Sequence, residues 1–309
     1  MNFNRRKFLQ SAGTLALGSM AFSGKAGSFF NHTALHPVGL QLFTFFGIID
    51  DDVKGTLTKI SGIGYKEIES AFSRKGGYYG MKPKEFKAMV NDLGMSWKSH
   101  HVIGAPFKMP KGYKMPVGAD GKPMVIPPMH NLRDNMQEIV DEAAEGGLKY
   151  LVCANAPTGT LDEIKSTVDI LNKTGEATKK AGIQFAYHNH DMEFHEVEGK
   201  VPYHLLLSET DPHNVKMELD LAWAIKGGQD PVDLFVRHPG RFPLWHVKDL
   251  DASHVNILPV GSGTIDFKRI FAHKSAAGMQ HFFVEHDMPK DAYGSIKSSY
   301  EYITGTLKA

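Results

Sequence analysis

The chain has 309 residues, 42% hydrophobic and 22% charged, which describes a folded globular protein long enough for one large domain or two medium ones. A formal net charge of +1, with no long run of lysine and arginine, leaves no electrostatic footprint for nucleic acid. The single cysteine, Cys153, excludes an internal disulfide.

At the start, Asn4-Arg5-Arg6-Lys7-Phe8-Leu9-Gln10 is followed at once by a run of small and apolar residues over 12–22. A charged segment ahead of a short apolar one reads as an export signal, and paired arginines before Phe-Leu point to the twin-arginine route. Cleavage is expected between Ala21 and Ala26, so residues 1–26 form the signal and 27–35 a link. Loss of Arg5, Arg6, Lys7 and Lys25, with no acid, takes the net charge from +1 to −3. The apolar run is too short for an ordinary membrane span, and no cysteine follows it to carry a lipid. A periplasmic protein without a membrane span is the expectation. The absence of a disulfide suits a route that carries proteins already folded.

From residue 36 onward, short apolar runs alternate with helix-like segments. Residues 38–45 read as the first strand and 51–60 as a helix behind it; 65–71, introduced by Gly62 and Gly64, is the second strand. Pro83 marks the first turn of a helix over 84–93, and 96–102 is the third strand. Residues 103–129 interrupt the alternation with six prolines and four glycines, the composition of a lid or binding loop. A helix over 131–146, a fourth strand at 150–154 and a helix over 161–181 follow. The fifth strand is Ile183-Gln184-Phe185-Ala186-Tyr187-His188, running into Asn189-His190. Residues 215–221, 243–249 and 281–286 make the sixth, seventh and eighth strands, and 292–307 closes the chain as a helix.

Eight strands alternating with helices predict a single-domain α/β fold, the (β/α)8 TIM barrel, over residues 36–309. No Gly-x-Gly-x-x-Gly follows the first strand, which argues against an open, doubly wound sheet. In such a barrel the carboxyl ends of the strands converge on one site. Those ends carry Glu69, His100, His101, Asn155, His188, His190, Asp220, His246, Lys248 and Glu285. His188 and His190, two residues apart, point to the same face of a strand. Imidazoles and carboxylates gathered at one rim predict a site for one divalent metal ion.

Four motifs in this order resemble those of the xylose isomerase-like barrel superfamily. They are Glu218-Leu219-Asp220-Leu221-Ala222-Trp223, His246-Val247-Lys248-Asp249, Gly261-Ser262-Gly263-Thr264-Ile265-Asp266-Phe267 and Val284-Glu285-His286. That superfamily comprises sugar phosphate isomerases and epimerases and includes D-tagatose 3-epimerase and inosose dehydratase; the similarity runs over residues 36–305. It implies one Mn, Co, Mg or Zn ion held by a Glu, an Asp, a His and a Glu from strands five to eight. Asp220, His246 and Glu285 match by type and place, and His188 stands where the first Glu is expected. The resemblance also implies a homo-oligomer, dimer or tetramer.

In the epimerases the two glutamates also pass the proton, so His188 changes what the site can do. The default reading is isomerisation or epimerisation of a non-phosphorylated carbohydrate or keto-sugar by proton removal next to a carbonyl. The alternatives are a lyase or hydratase acting on 3-keto-glycosides and a barrel that only binds sugar. Glu285 is the expected base, and His101, His188 or His190 the acid. Lys248 either binds a substrate oxygen or helps stabilise an enolate, or instead pairs with Asp249 or Glu218. Glu69, His100, Asn155 and Trp223 are the expected substrate contacts, with Trp223 stacking on the sugar's C–H face, and Trp245 is expected to pack between strand and helices. The turn at 261–267 opens a helix whose N-terminus could receive an anion, with Asp266 as its simpler cap.

Overall fold

The computed structural model describes residues 36–106 and 129–308. The expected export signal, the link after it and most of the 103–129 loop lie outside the described residues. Eight parallel strands close into a barrel: β1 (Gly39–Gln41), β2 (Glu67–Ser70), β3 (Ser96–Ile103), β4 (Tyr150–Asn155), β5 (Gln184–His188), β6 (Val215–Asp220), β7 (Leu244–Val247) and β8 (His281–Val284). Each strand pairs with the next in the chain, and β8 returns to β1. Around them lie α1 (Val53–Ile63), α2 (Pro83–Asp92), α3 (Leu132–Gly146), α4 (Leu161–Lys180), α5 (Pro202–Glu209), α6 (Leu221–Lys226), α7 (Pro231–Arg237), α8 (Phe267–Phe271), α9 (Lys274–Ala277) and α10 (Ala292–Tyr302). This is the single-domain (β/α)8 barrel that the alternation predicts. Among the described residues no helix is long and apolar enough to cross a membrane.

Elements stop where side chains take over backbone hydrogen bonds. Strand β1 is shorter than expected because the Gln41 side chain accepts from the Phe43 amide at 3.0 Å and turns the chain into a 3-10 turn over Leu42–Phe45. Helix α1 starts after Asp52, whose carboxylate accepts from the Gly55 amide; Asn131, Thr160 and Asp291 cap α3, α4 and α10 in the same way. At the end of β5, Asn189 extends the ladder with its side chain. It accepts from the Asp220 amide at 3.1 Å and donates to the Asp220 carbonyl at 3.4 Å.

Outward-facing strand residues build the main core against the helices. Trp245, on the outer face of β7, lies between Phe235 and Phe271 with ring centroids 4.7 and 5.2 Å away, the packing position expected for it. Inside the barrel the residues fall in layers. At the amino-terminal end, Glu67 bonds His281 at 2.7 Å and Lys98 at 3.2 Å. Above them Val152, Ala186, Leu244 and Phe283 form a dry apolar plug. Gly39 admits that plug, because a Cβ there would stand 2.5 Å from the Phe283 ring. Above it the inward-facing strand residues include Glu69, His101, His188, Glu218 and His246.

The Gly-Ser-Gly turn does not serve an anion. Asp249, at the end of the seventh strand segment and 1% exposed, accepts backbone N–H groups from Leu250, Gly261, Gly263 and Ile265 at 2.9 to 3.1 Å. The turn's donors are therefore satisfied from within the chain, and α8 is only five residues long, with Asp266 as its cap. Gly263 permits the close approach, since a Cβ would meet the Leu250 carbonyl at 2.2 Å. Asp249→Ala should orphan these amides and lower unfolding stability by about 3 kcal/mol in urea denaturation; a loss below about 1 kcal/mol would contradict that role.

Candidate metal centre

Strand alternation sends Glu69, His101, His188, Glu218, Asp220 and His246 into the barrel, with Lys248 and Glu285 just beyond the ends of β7 and β8. Register sorts them by height: His188 lies opposite Glu218, and Asp220 opposite His246. Two tiers result.

In the lower tier Glu218 Oε2 lies 2.7 Å from His101 Nε2, 3.1 Å from His188 Nδ1 and 3.2 Å from His246 Nε2. Glu69 Oε1 lies 2.6 Å from His246 Nε2 and 3.0 Å from His101 Nε2. Glu69 is steadied from behind by the Gln41 amide at 2.8 Å and by the Ser99 hydroxyl. The His101 ring is stacked on His246 with an interplanar angle of 8°. In the upper tier the Lys248 ammonium stands 3.0 Å from Asp220 Oδ2 and 2.9 Å from both Glu285 and Asp287. His246 belongs to both tiers, because its Nδ1 lies 2.7 Å from Glu285 Oε2 while its Nε2 faces downward to Glu69 and Glu218.

These contacts set the charge states. Burial and the neighbouring Glu69 push Glu218 up to about 7. Against burial, which alone would raise it, the His101 and His246 imidazoles hold Glu69 well below the carboxylate range. Burial would lower His101, but Glu69 and Glu218 bring it up to about 9. His188 is kept neutral by burial and by the cationic groups of His246, His101 and Lys248. Burial also lowers His190, against the pull of Glu193. Burial would raise Glu285, yet Lys248 and His246 hold it well below its ordinary value.

Two groups can hold a divalent cation, His101–His188–Glu218–His246 and Asp220–His246–Glu285, with the donor atoms of each within 4.8 Å of one another. Mixed imidazole and carboxylate donors suit such an ion. Among the described residues two buried carboxylate oxygens lack a hydrogen-bond partner, Glu218 Oε1 and Asp220 Oδ2. The second has Lys248 at ion-pair distance without hydrogen-bond alignment, whereas among the described residues no lysine or arginine pairs with Glu218.

Above the tiers opens a cavity of about 250 Å³ lined by Phe43, Phe72, His101, Asn155, His188 and His190, with Lys248 and Glu285 at its floor. Asn155 is exposed at its edge, and Trp223 is half-buried nearby, its ring 6.1 Å from His190. The Lys226 and Lys248 ammonium groups approach that ring at 4.5 and 5.1 Å.

Several expected roles change. His188 joins Glu218 and His101, not Asp220 and Glu285. Glu69 is wholly buried and bonded to protein, so it is no substrate contact. His100 lies on the outer face of β3, held by the Ser70 hydroxyl at 2.8 Å and packed on Tyr78, outside the cluster. Lys248 pairs with neither Asp249 nor Glu218. Glu218 and Asp287 were missed as site residues; for Glu218 the signal was its place two residues before Asp220 on the same strand face. Glu193, which accepts from the Tyr187 hydroxyl at 2.8 Å and the His190 amide at 3.0 Å, fixes the turn that carries His190.

Relatives bear on the chemistry. The chain is 28% identical over 157 residues to an inosose dehydratase of Geobacillus thermodenitrificans and 25% identical over 159 residues to one of Lacticaseibacillus casei. These matches cover 45% and 46% of this chain and span about half of each relative, 52% and 53%. The crystal structure of a sugar phosphate isomerase/epimerase from Parabacteroides distasonis superposes with a TM-score of 0.72 at 28% identity, covering 90% of this chain and 97% of that one. An L-ribulose 3-epimerase shares the fold, with a TM-score of 0.64 at 15% identity over 89% of this chain and 95% of its own. The chain carries His/Asp/Glu groups that could hold a metal ion and is related to sugar isomerases, epimerases and dehydratases. The model of the xylose isomerase-like TIM barrel matches residues 57–303, and the chain belongs to that family.

Proposed function

We propose that this protein acts on a non-phosphorylated carbohydrate or keto-sugar by removing a proton from the carbon next to a carbonyl. The observation that carries the reading is the two-tier set of imidazoles and carboxylates directly beneath a cavity at the carboxyl ends of the strands. A bound divalent ion would supply Lewis acidity toward the carbonyl oxygen. Among the described residues no arginine lines the cavity, so no bidentate anchor for a phosphate is present.

The side chains divide the remaining work. His190 lines the cavity and stays neutral at neutral pH, which makes it a proton acceptor rather than the acid expected of it. Lys248, held charged by three carboxylates against burial, presents a fixed positive charge where an enolate oxygen would develop. Glu285 is engaged by Lys248 and His246 and is a weak base in that state. This favours a second reading, elimination or dehydration with one imidazole base, over exchange between two glutamates. Kinship with inosose dehydratases supports it as well.

Incubation with free ketoses and with 3-keto-glycosides in deuterated water, followed by NMR, separates the readings. Exchange without bond cleavage supports an isomerase, elimination supports a dehydratase or lyase, and neither outcome leaves the proposal without a reaction. His190→Gln should lower kcat by about a hundredfold or more with a smaller effect on KM. Because the His190 pKa is lowered, the base form persists as pH falls through the ordinary histidine range. The acid limb of kcat/KM should therefore lie below about pH 6.5, the unperturbed histidine value; a limb above it would count against His190.

We also propose export through the twin-arginine route, supported by Arg5-Arg6 and the apolar run behind them. Arg5→Lys combined with Arg6→Lys should leave the uncleaved chain in the cytoplasm on fractionation. Continued appearance of processed protein in the periplasm would refute that route.

A further inference from the structure

We propose that the resident divalent cation of this barrel sits in the lower tier, among Glu69, His101, His188, Glu218 and Nε2 of His246, while Lys248 takes the cation's place in the upper tier. The inference rests on the metal-dependent reading above and moves the ion away from the Asp220–His246–Glu285 set that strand position suggests.

The upper tier already holds its cation. Lys248 is 2% exposed at its side chain, and its ammonium stands 2.9 to 3.0 Å from three carboxylates. A divalent ion between Asp220 and Glu285 would have to displace the buried Lys248 ammonium from two of its three carboxylates.

The lower tier has the opposite character. Among the described residues no lysine or arginine pairs with Glu69 or Glu218, so two buried carboxylates face three imidazoles with no permanent positive charge beside them. Glu218 Oε2 lies 2.7 to 3.2 Å from a ring nitrogen of each of His101, His188 and His246, and Glu69 Oε1 lies 2.6 and 3.0 Å from those of His246 and His101. Ligands about 2.1 Å from one ion at right angles stand about 3.0 Å apart, the same spacing. Glu218 Oε1 is buried without a partner, an independent sign that this carboxylate faces something other than protein.

The surrounding hydrogen bonds agree. With Nε2 of His246 directed into the lower tier, its Nδ1–H donates to Glu285 Oε2 at 2.7 Å. Glu285 then has the place of the carboxylate that orients a metal-bound histidine from behind, and Gln41 and Ser99 hold Glu69 in the same manner. Three imidazoles with two carboxylates select Mn, Fe, Co or Zn over Mg or Ca.

Metal-stripped full-length protein titrated with MnCl2, read by electron paramagnetic resonance, should take up one equivalent, and excess Mg should not displace it. Glu218→Gln and His101→Asn should weaken binding by roughly tenfold or more, whereas Asp220→Asn should change it by less than about threefold. Anomalous diffraction at the manganese edge from wild-type crystals, which depends on no variant folding, should place the ion on the Nε2 side of His246. A peak between Asp220 and Glu285, or binding abolished by Asp220→Asn and intact in Glu218→Gln, overturns the placement and leaves the metal-dependent reading standing. No manganese, cobalt or zinc bound by the wild type overturns both.

Discussion

The structure of the site depends on one fully buried imidazole, His246, gripped on both nitrogens inside the barrel. Carboxylates, imidazoles and an ammonium taken out of water cost several kcal/mol each unless every charge finds a partner. His246 couples the two groups that achieve this, Glu69 and Glu218 below it and Glu285 above. Removing it would leave three buried carboxylates each short of a partner. That dependence explains why the acids around it are shifted in different directions although they share one cavity floor.

Such a cluster needs a rigid frame. The apolar plug of Val152, Ala186, Leu244 and Phe283 seals the barrel beneath it, so the charged tier cannot be hydrated from the amino-terminal end. Asn189 ties the end of β5 to the backbone of Asp220, and Glu193 holds the turn that lifts His190 to the cavity. Asp249 gathers the loop behind Lys248 with four backbone donors. Asn189 and Asp249 spend their side-chain polar atoms on the backbone, and Glu193 divides its own between the His190 amide and the Tyr187 hydroxyl.

The balance of charge in the upper tier also shapes the chemistry. Lys248 shared among Asp220, Glu285 and Asp287 turns what could be a pair of carboxylate bases into a neutralised platform with one fixed positive charge. The neutral imidazole of His190 is then the cavity group best placed to accept a proton near neutral pH. His188, kept neutral by burial, and Glu285, engaged by Lys248 and His246, leave imidazoles rather than free carboxylates in the site.

By itself the sequence determined the barrel, because alternating strand and helix periods and strand-end polar residues are local properties of the chain. It determined which strands carry the site and that imidazoles and carboxylates meet there. It pointed to Trp245 as a packing residue and to Asp266 as a cap, since both follow from one-residue alternation and local hydrogen bonding. Only the tertiary structure decided who partners whom. Glu218 and Asp220 lie on the same strand face, yet a step of two residues along a tilted strand puts one in the lower tier and the other in the upper. His100 and His101 are adjacent, but only one of the two can face inward. Lys248 found three acids from two different strands, and the Gly-Ser-Gly turn found Asp249 in place of an anion. Height within the barrel is set by the register between strands distant in sequence, and no local pattern records it.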